Sequence, residues 1–330
     1  MRGTVVVPTR NRRAALDRLL ESLDAQTLPR AEFEVIVVDD ASEDDTPSML
    51  ERYRARAQGP FVGIRLPGRS GPAAARNAGW RRALGPVIAF TDDDCAADAG
   101  WLEAGLACFA AGVGLVLGAT RAGDPHPAFG HPLPGRERGS HTAAAHFSRT
   151  MEVSDEDWHY PTCNVFYLRA ALESVGGFDE RFRYACGEDT DLAWRVKKRG
   201  HASRFCAGAV IVHEVRPPDF VLFLKERRRF ADQVLLVKRH PALRRFYYRR
   251  YFYRRSHLHV VAAIVVAGLA LHSTAAMLLL PAIWVDRLRR SNLGRDWRSR
   301  ARSAVQLLVA DYWEFSVFCY ANLRYRSILL

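Results

Sequence analysis

The sequence predicts an α/β protein whose core is a doubly wound, mostly parallel sheet flanked by helices. Two observations support this prediction. Short apolar runs alternate with amphipathic stretches through residues 4–90, as in repeated strand–helix units. Polar residues follow directly on the ends of several of these runs, and ligands of such sheets bind beyond the carboxyl ends of the strands. This half of the chain is therefore expected to bind a small ligand.

Four strands and three helices are predicted in order along this part of the chain. The strands are apolar, and Pro8 stops the first of them. The helices place apolar side chains at helical spacing, as Leu16, Leu19, Leu20 and Leu23 do in the first. The predicted strands are residues 4–7, 33–38, 61–66 and 87–90, and the predicted helices are residues 11–25, 43–57 and 73–84. Residues 120–160, rich in glycine, proline and histidine, are expected to form an irregular loop over the ligand site.

The charge of the chain is divided unevenly. Residues 1–218 hold 27 Lys and Arg against 29 Asp and Glu, a net charge of −2, whereas residues 219–330 hold 21 against 7, a net charge of +14. We therefore expect one domain at 1–218 and a helical, basic and apolar appendage at 219–330. Such a basic surface favours an anionic partner.

The appendage contains thirty residues, 256–285, without Lys, Arg, Asp or Glu. Basic residues lie on both sides, which favours a re-entrant or surface-lying helical hairpin on an anionic membrane over a single crossing. A buried helical pair forming a homodimer interface is the alternative interpretation. Nucleic-acid binding is not expected, because no recognition motif accompanies the charge.

The six cysteines form no CxxC pair and no Cys/His spacing typical of zinc sites. They are expected to be unpaired thiols in a reducing cytosol. The first residues lead directly into a predicted strand, without the pattern of a signal peptide. A cytoplasmic protein at the inner face of the cell membrane is therefore expected.

Two acidic clusters predict the chemistry. Asp92, Asp93 and Asp94 follow the fourth predicted strand, where three adjacent carboxylates repel one another unless a cation offsets their charge. Oxygen ligands suit a hard divalent cation, Mg²⁺ or Mn²⁺. The second cluster, at residues 188–191, precedes a helical run and can supply a carboxylate base. A metal and a base in one α/β domain predict group transfer from a phosphorylated donor.

Six motifs in order resemble the family 2 glycosyltransferases, an inverting group with the GT-A fold, over residues 1–215. The motifs are Val5-Val6-Val7-Pro8-Thr9-Arg10-Asn11, Val37-Val38-Asp39-Asp40-Ala41-Ser42, Ala75-Arg76-Asn77-Ala78-Gly79, Thr91-Asp92-Asp93-Asp94, Gly176-Gly177-Phe178-Asp179 and Gly187-Glu188-Asp189-Thr190-Asp191-Leu192. The resemblance implies a hexosyltransferase that moves a sugar from a UDP-, dTDP- or GDP-linked donor to a saccharide, polysaccharide or lipid-linked acceptor.

The resemblance also implies roles for individual residues. Asp189 would be the catalytic base, with Glu188 beside it. Asp92 and Asp94, the outer carboxylates of a DxD motif, would hold the metal together with His213. The nucleotide-sugar would be bound by Pro8, Thr9, Arg10, Asp40, Arg76, Asp92 and Asp93. The acceptor side would include Gly177, Phe178, Asp179 and Asn164. For Asn164, an ordinary turn residue is the alternative interpretation.

Two other functions compete with this one. Nucleotidyl transfer also uses an α/β sheet and a carboxylate-bound metal, but residues 8–12 lack the glycine-rich, lysine-bearing loop of those enzymes. A non-catalytic module that binds glycans or a membrane surface is the third, and the intact acidic clusters argue against it.

Overall fold

The computed structural model describes residues 1–123, 151–215, 219–271, 279–289 and 297–330. The described residues divide into two compact units, one ending at Val215 and the other starting at Asp219. The first unit contains the sheet, and the second unit is helical.

Eight strands form one sheet in the first unit. They are β1 (Gly3–Thr9), β2 (Phe33–Asp39), β3 (Phe61–Arg65), β4 (Val87–Thr91), β5 (Cys95–Ala97), β6 (Val113–Gly123), β7 (Asn164–Leu168) and β8 (Ala202–Glu214). Their order across the sheet is β3-β2-β1-β4-β7-β6-β8-β5. The pairs β1–β2, β1–β4, β2–β3 and β6–β8 are parallel, while β7 runs antiparallel to both neighbours and β5 runs antiparallel to β8. The predicted mostly parallel α/β sheet is confirmed.

Six helices accompany these strands in the described part of the first unit. They are α1 (Arg13–Asp24), α2 (Thr46–Arg56), α3 (Pro72–Trp80), α4 (Trp101–Ala107), α5 (Arg169–Val175) and α6 (Glu188–Lys198). The apolar residues of the central strands alternate between two buried clusters on opposite faces of the sheet. Val5 and Val7 pack with Leu16 and Leu20 of α1 on one face, and Val6 packs in the cluster of the other face. Burial on both faces explains why these strands read as continuous apolar runs.

The predicted loop over the ligand site falls largely outside the described residues, since 124–150 are not among them. From 151 to 160 the chain has little regular structure, apart from a bridge that pairs Val153 with Thr120.

The structure corrects one expectation about the cysteines. Cys108, after α4, and Cys206, in β8, form a disulfide with their Cα atoms 6.4 Å apart. These residues lie far apart in the sequence and share no motif, so spacing alone gave no sign of the pair.

The second unit contains five described helices. They are α7 (Phe220–Arg227), α8 (Asp232–Arg239), α9 (Arg255–Ala270), α10 (Leu279–Arg289) and α11 (Trp297–Tyr325). The side chain of Asp219 caps α7 by accepting a hydrogen bond from the Leu222 N–H at 3.0 Å. Helices α9 and α10 pack against each other and contain most of the uncharged stretch. Among the helices described, none is both long and apolar enough to cross a membrane.

Candidate active site

The carboxyl ends of β1, β2 and β4 meet at one edge of the sheet. Parallel pairing brings Thr9 beside Asp39, and the Asp40 N–H donates to the Thr9 carbonyl at 2.9 Å. The two following loops are joined by Asn11, whose N–H donates to the Ser42 Oγ at 2.9 Å and whose Oδ1 accepts from the Glu43 N–H at 2.7 Å. The first two predicted motifs therefore form one continuous surface.

Asp40 connects this surface to the start of α3. Its Oδ1 accepts a hydrogen bond from the Ser70 N–H at 2.6 Å, and its Oδ2 accepts one from the Gly71 N–H at 3.0 Å. Arg10 lies alongside, with its Nη1 donating to the Asp40 carbonyl oxygen at 3.2 Å. Pro8, which precedes Thr9, is partly exposed at the same edge. These residues, predicted to bind the nucleotide, lie together.

Arg76 of α3 bridges the two acidic clusters. Its Nη2 donates to Asp92 Oδ1 at 2.7 Å, and its Nη1 donates to Glu188 Oε1 at 2.9 Å. Only 2% of Arg76 is exposed, and the ring of Phe178 lies 5.8 Å from its guanidinium carbon. The guanidinium of Arg76, predicted to bind the nucleotide-sugar, therefore bonds to the carboxylates of Asp92 and Glu188. The structure brings the two clusters together through this one buried cation.

The three adjacent aspartates point in different directions. Asp92 meets Arg76, while Asp93 turns inward and accepts hydrogen bonds from the Thr9 hydroxyl and from Arg12 Nη1, both at 2.8 Å. Burial raises the pKa of Asp93 to about 6, although Arg12 opposes the shift. The same Arg12 nitrogen also donates to Asp94 Oδ2 at 2.8 Å. Both carboxylate oxygens of Asp93 thus accept hydrogen bonds from the protein. Among the described residues, the group whose ligand atoms lie close enough together for one metal includes Asp94 but not Asp92.

Asp94 lies beside two other groups that can bind a metal. In the antiparallel β5–β8 pair Cys95 faces His213, and His213 Nε2 lies 3.7 Å from Asp94 Oδ1. The ligand atoms of Asp94, Cys95 and His213 all lie within 4.8 Å of one another. Burial raises the pKa of the Cys95 thiol well above its ordinary value, and hard divalent cations prefer oxygen ligands to sulfur. The carboxylate oxygen of Asp94 suits Mg²⁺ or Mn²⁺, and the imidazole nitrogen of His213 favours the transition metal Mn²⁺, so these residues fit the predicted metal.

The second acidic cluster forms the first turn of α6. Gly187, with a φ of +92°, starts the helix, where acidic side chains complement the helix dipole. Glu188 is almost fully buried against Arg76, whereas Asp189 is partly exposed. Burial raises the pKa of both carboxyl groups. Of the two, Asp189 is the one that an incoming molecule can reach.

Asp191 and Arg195 fix α6 to the turn that follows α5. Asp191 is fully buried, and its Oδ2 accepts from Arg195 Nε at 2.7 Å in an i, i+4 ion pair. Arg195 also donates to the carbonyl oxygens of Val175 at 2.8 Å and Gly177 at 2.7 Å. The helix that carries Asp189 is therefore held at its first turns by buried hydrogen bonds.

Two of the residues predicted for the acceptor side are structural supports. Gly177 has a φ of +78°, and a Cβ there would lie 2.6 Å from Asn77 Oδ1 and from Trp80 Nε1. Phe178 is buried under Arg76, and its backbone N–H and carbonyl both bond to the Asn77 amide at 2.9 Å. Both residues are buried and support the site by packing and backbone hydrogen bonds. Asp179 is partly exposed and bonds to Arg181 at 2.8 Å.

Asn164, the fourth residue predicted for the acceptor side, lies inside the sheet. The residue is fully buried at the start of β7. Its amide donates to the carbonyl oxygens of Ala119 at 2.7 Å and Ala209 at 2.9 Å, and its oxygen accepts from Trp101 Nε1 at 2.8 Å. Asn164 thus connects three strands and a helix inside the sheet.

Sequence reasoning assigned no role to Arg12 or Asn77. Arg12 closes the loop after β1 and binds two of the three aspartates, and Asn77 organises the turn at Phe178. Asn77 lies within one of the six motifs, and Arg12 directly follows another. Their position beside predicted site residues was the signal that could have identified them.

Comparison with protein families gives two matches. The model described as glycosyl transferase family 2 matches residues 4–176, about half of the chain. A second model, described as glycosyl transferase family group 2, matches residues 138–317.

Curated relatives are also glycosyltransferases by name. Validoxylamine A glucosyltransferase of Streptomyces hygroscopicus subsp. jinggangensis is 34% identical over 224 residues, which are 60% of this chain and 51% of the relative. Pre-mycofactocin glycosyltransferase of Mycobacterium tuberculosis is 30% identical over 232 residues, 64% of this chain and 43% of the relative. The chain spans about half the length of these relatives.

Solved structures share the fold. The mannosyltransferase PcManGT from Pyrobaculum calidifontis, in complex with GDP-Man and Mn²⁺, matches with a TM-score of 0.59 and 20% identity over 98% of this chain and 87% of that one. S. aureus TarS in complex with UDP-GlcNAc matches with a TM-score of 0.51 and 19% identity, over 99% and 92% of the two chains. The predicted GT-A fold is confirmed.

Proposed function

The chain belongs to glycosyl transferase family 2, and on that premise we propose that it is an inverting, metal-dependent glycosyltransferase. It would move a sugar from a nucleotide-sugar donor to a hydroxyl group of an acceptor. Family membership favours this function over the nucleotidyltransferase and non-catalytic alternatives.

One observation carries the proposal: the guanidinium of Arg76 bonds both Asp92 and Glu188, the neighbour of Asp189. The carboxylates suited to a metal and the carboxylate suited to a base thereby share one site. Transfer from a nucleotide-sugar needs both, because charge develops on the leaving diphosphate while the acceptor hydroxyl loses its proton.

Asp92, Asp94 and His213 would hold the metal. A divalent cation bound there would stabilise negative charge on the diphosphate. Arg12 keeps Asp94 in place by a hydrogen bond of 2.8 Å, and the backbone carbonyl of Glu214 lies 3.1 Å from His213 Nδ1. Contacts of this kind orient a ligand before the metal arrives.

Asp189 would accept the proton of the acceptor hydroxyl. Its raised pKa suits this task, because a base works best when its pKa approaches the working pH. The hydroxyl oxygen would form a bond to the anomeric carbon as the bond to the diphosphate oxygen breaks. Attack from the face opposite the leaving group inverts the anomeric carbon, and this single displacement requires only one base.

The substrates follow as proposals from the same site. The loops around Asp40 would bind the base and ribose of a UDP-, dTDP- or GDP-linked sugar. The acceptor would be a lipid-linked saccharide, a polysaccharide or a small glycoside. We further expect residues 219–330 to bring the enzyme to the cytoplasmic face of an anionic membrane, with a homodimer interface as the alternative.

Hydrolysis of candidate donors tests the reaction without knowledge of the acceptor. A panel of UDP-, dTDP- and GDP-sugars is incubated with the protein in Mn²⁺ or in EDTA, and nucleoside diphosphate release is measured. We expect release from one donor class that requires the metal. The Asp189→Asn variant should lower turnover by roughly 10²–10⁴-fold while the donor still binds.

Glu173→Gln, an exposed change on α5, is the matched control and should behave like the wild type. Unchanged turnover in Asp189→Asn would refute the assignment of the base. Undiminished release in EDTA would refute the metal requirement.

A further inference from the structure

The distal half of the α9–α10 hairpin is apolar and exposed. In α9 and at its carboxyl end, Ile264, Val265 and Leu269 are more than half exposed, and Leu271 is 83% exposed. In α10, Leu279 is 54% exposed. A soluble helix normally buries such side chains, so this end of the hairpin lacks a partner of matching chemistry.

The exposed positions of α9 form one wide stripe. At about 100° per residue, the exposed positions from Ile264 to Leu271 cover roughly 200° around the axis of α9. A helix that docks on another protein usually presents a narrower apolar stripe and polar residues opposite. A stripe that covers more than half of the circumference instead suits a segment in contact with a fluid apolar medium.

Among the described residues of the hairpin, polar side-chain contacts between helices lie at its base. His259 Nε2 lies 3.0 Å from Asp286 Oδ2 and joins α9 to α10. Arg287 Nε donates to Asp311 Oδ2 at 2.7 Å and joins α10 to α11. The rings of Trp284 and Tyr312 are 5.5 Å apart at the same level. The two arms are therefore held together by polar contacts at one end, and their described residues beyond that end, 264–271 and 279–285, are apolar.

We propose that this apolar half, Ile264–Leu271 of the first arm and Leu279–Val285 of the second, inserts into one leaflet of an anionic lipid bilayer. The proposal develops the membrane part of the proposed function and rests on it. It does not depend on which sugar is transferred.

The dimensions fit a shallow insertion. Eight helical residues rise about 12 Å, which is less than half of a hydrocarbon core of about 30 Å. Interfacial helices reach about 5–10 Å into the boundary between head groups and acyl chains. The hairpin is thus long enough to anchor the protein in one leaflet.

The charges around the base favour anionic lipids. Arg254 and Arg255 begin α9 and Arg289 ends α10, and all three are exposed. Residues 219–330 have a net charge of +14, from 21 basic and 7 acidic residues. Basic residues beside an inserted apolar segment are attracted to the negative surface of a membrane. A second copy of the same chain would instead bring these positive charges together.

Flotation with lipid vesicles tests the proposal with the full chain. Vesicles of phosphatidylcholine alone are compared with vesicles that also contain phosphatidylglycerol. We expect the wild type to float with the anionic vesicles and to be released by salt. Ile264→Asp combined with Leu269→Asp should reduce binding at least about tenfold, because charged side chains enter the bilayer at high cost.

Leu323→Asp, on the 82% exposed Leu323 of α11, is the matched control and should still float. Donor hydrolysis without vesicles should be the same in all three proteins, which separates failure of the membrane proposal from failure of the sugar-transfer proposal. Equal flotation of the double variant and the wild type would overturn the insertion. So would a vesicle-independent dimer that the double variant dissociates.

Discussion

Asp92 and Glu188, one from each acidic cluster, accept hydrogen bonds from the two terminal nitrogens of one guanidinium, at 2.7 and 2.9 Å. The sequence predicts both carboxylates but gives no sign that they share a cation. Because Arg76 is buried and its ring neighbour Phe178 is also buried, the pair is held in a fixed relation. The distance between Asp92, the proposed metal ligand, and Glu188, the neighbour of the proposed base Asp189, is then set by the core of the protein.

Replacing Arg76 should affect stability as well as activity. In Arg76→Ala the buried Glu188 loses its counter-ion, and breaking a buried ion pair costs about 3–5 kcal/mol. The free energy of unfolding, measured in urea, should fall by this amount. Arg81→Ala removes an exposed arginine that lies 3.7 Å from Glu180. This control should change the free energy of unfolding by no more than about 0.5 kcal/mol. Equal losses in the two variants would contradict a buried bridge.

The metal ligands can be distinguished by calorimetric titration with Mn²⁺. Asp94→Asn and His213→Ala should each weaken binding at least about tenfold, because each removes a ligand atom or its orientation. Cys95→Ala should leave the affinity unchanged, since a hard divalent cation prefers oxygen ligands to sulfur. Comparable weakening in the cysteine variant would identify a thiolate ligand and refute the proposed set of oxygen and nitrogen donors.

The raised pKa of Asp93 predicts a dependence of stability on pH. The folded protein holds this proton up to about pH 6, whereas the unfolded chain releases it near 3.9. Between these values the folded state binds more protons, so the free energy of unfolding should decrease as the pH rises, by about 3 kcal/mol over the interval. Urea unfolding in EDTA between pH 4 and 7, for the wild type and Asp93→Asn, measures the contribution as a difference in slope. If the free energy of unfolding depended on pH in the same way in both proteins, the raised pKa of Asp93 would be contradicted.

Asn164 should matter for stability and not for the acceptor. Asn164→Ala leaves the Trp101 indole N–H and two buried carbonyl oxygens without their partner, at about 1–3 kcal/mol for each unsatisfied group. Thermal unfolding should therefore occur at a markedly lower temperature. The KM for the acceptor should be unchanged at temperatures where the variant is folded. A raised KM with unchanged stability would restore the acceptor-side interpretation.

Local patterns predicted the first half of the fold well. Strands β1 to β4 lie within two residues of the predicted ranges, because each is an apolar run bounded by polar or turn residues. Helix α6 starts at Glu188 and so includes the acidic cluster that was predicted to precede it. In the second unit, the first described turns of the long helix α11, from Trp297 onward, are basic and carry little apolar periodicity, so local patterns are less informative there.

The roles of single polar residues were harder to predict, because their partners are remote in the sequence. From the sequence, Arg76 is interpreted as a residue that binds the nucleotide-sugar. Only the fold shows that it also bonds to Glu188. Asn164 follows a Pro-Thr-Cys sequence that suggests a turn, yet strand pairing buries it between Ala119 and Ala209. The sequence does not distinguish Asp93 from Asp92 and Asp94. Only its hydrogen bonds with the Thr9 hydroxyl and Arg12 show that its side chain turns inward.

The hydrogen bonds of Arg195 to the carbonyl oxygens of Val175 and Gly177 have a practical consequence for engineering. They fix one end of the segment 178–187, and the Asp191 N–H fixes the other by donating to the Gly187 carbonyl at 2.9 Å. Between these anchors most side chains from Glu180 to Cys186 face outward, apart from buried Phe182. Substitutions at the outward positions of this segment should therefore leave the helix of Asp189 in register, except at Glu180, which accepts a hydrogen bond from the Asn77 amide at 2.8 Å.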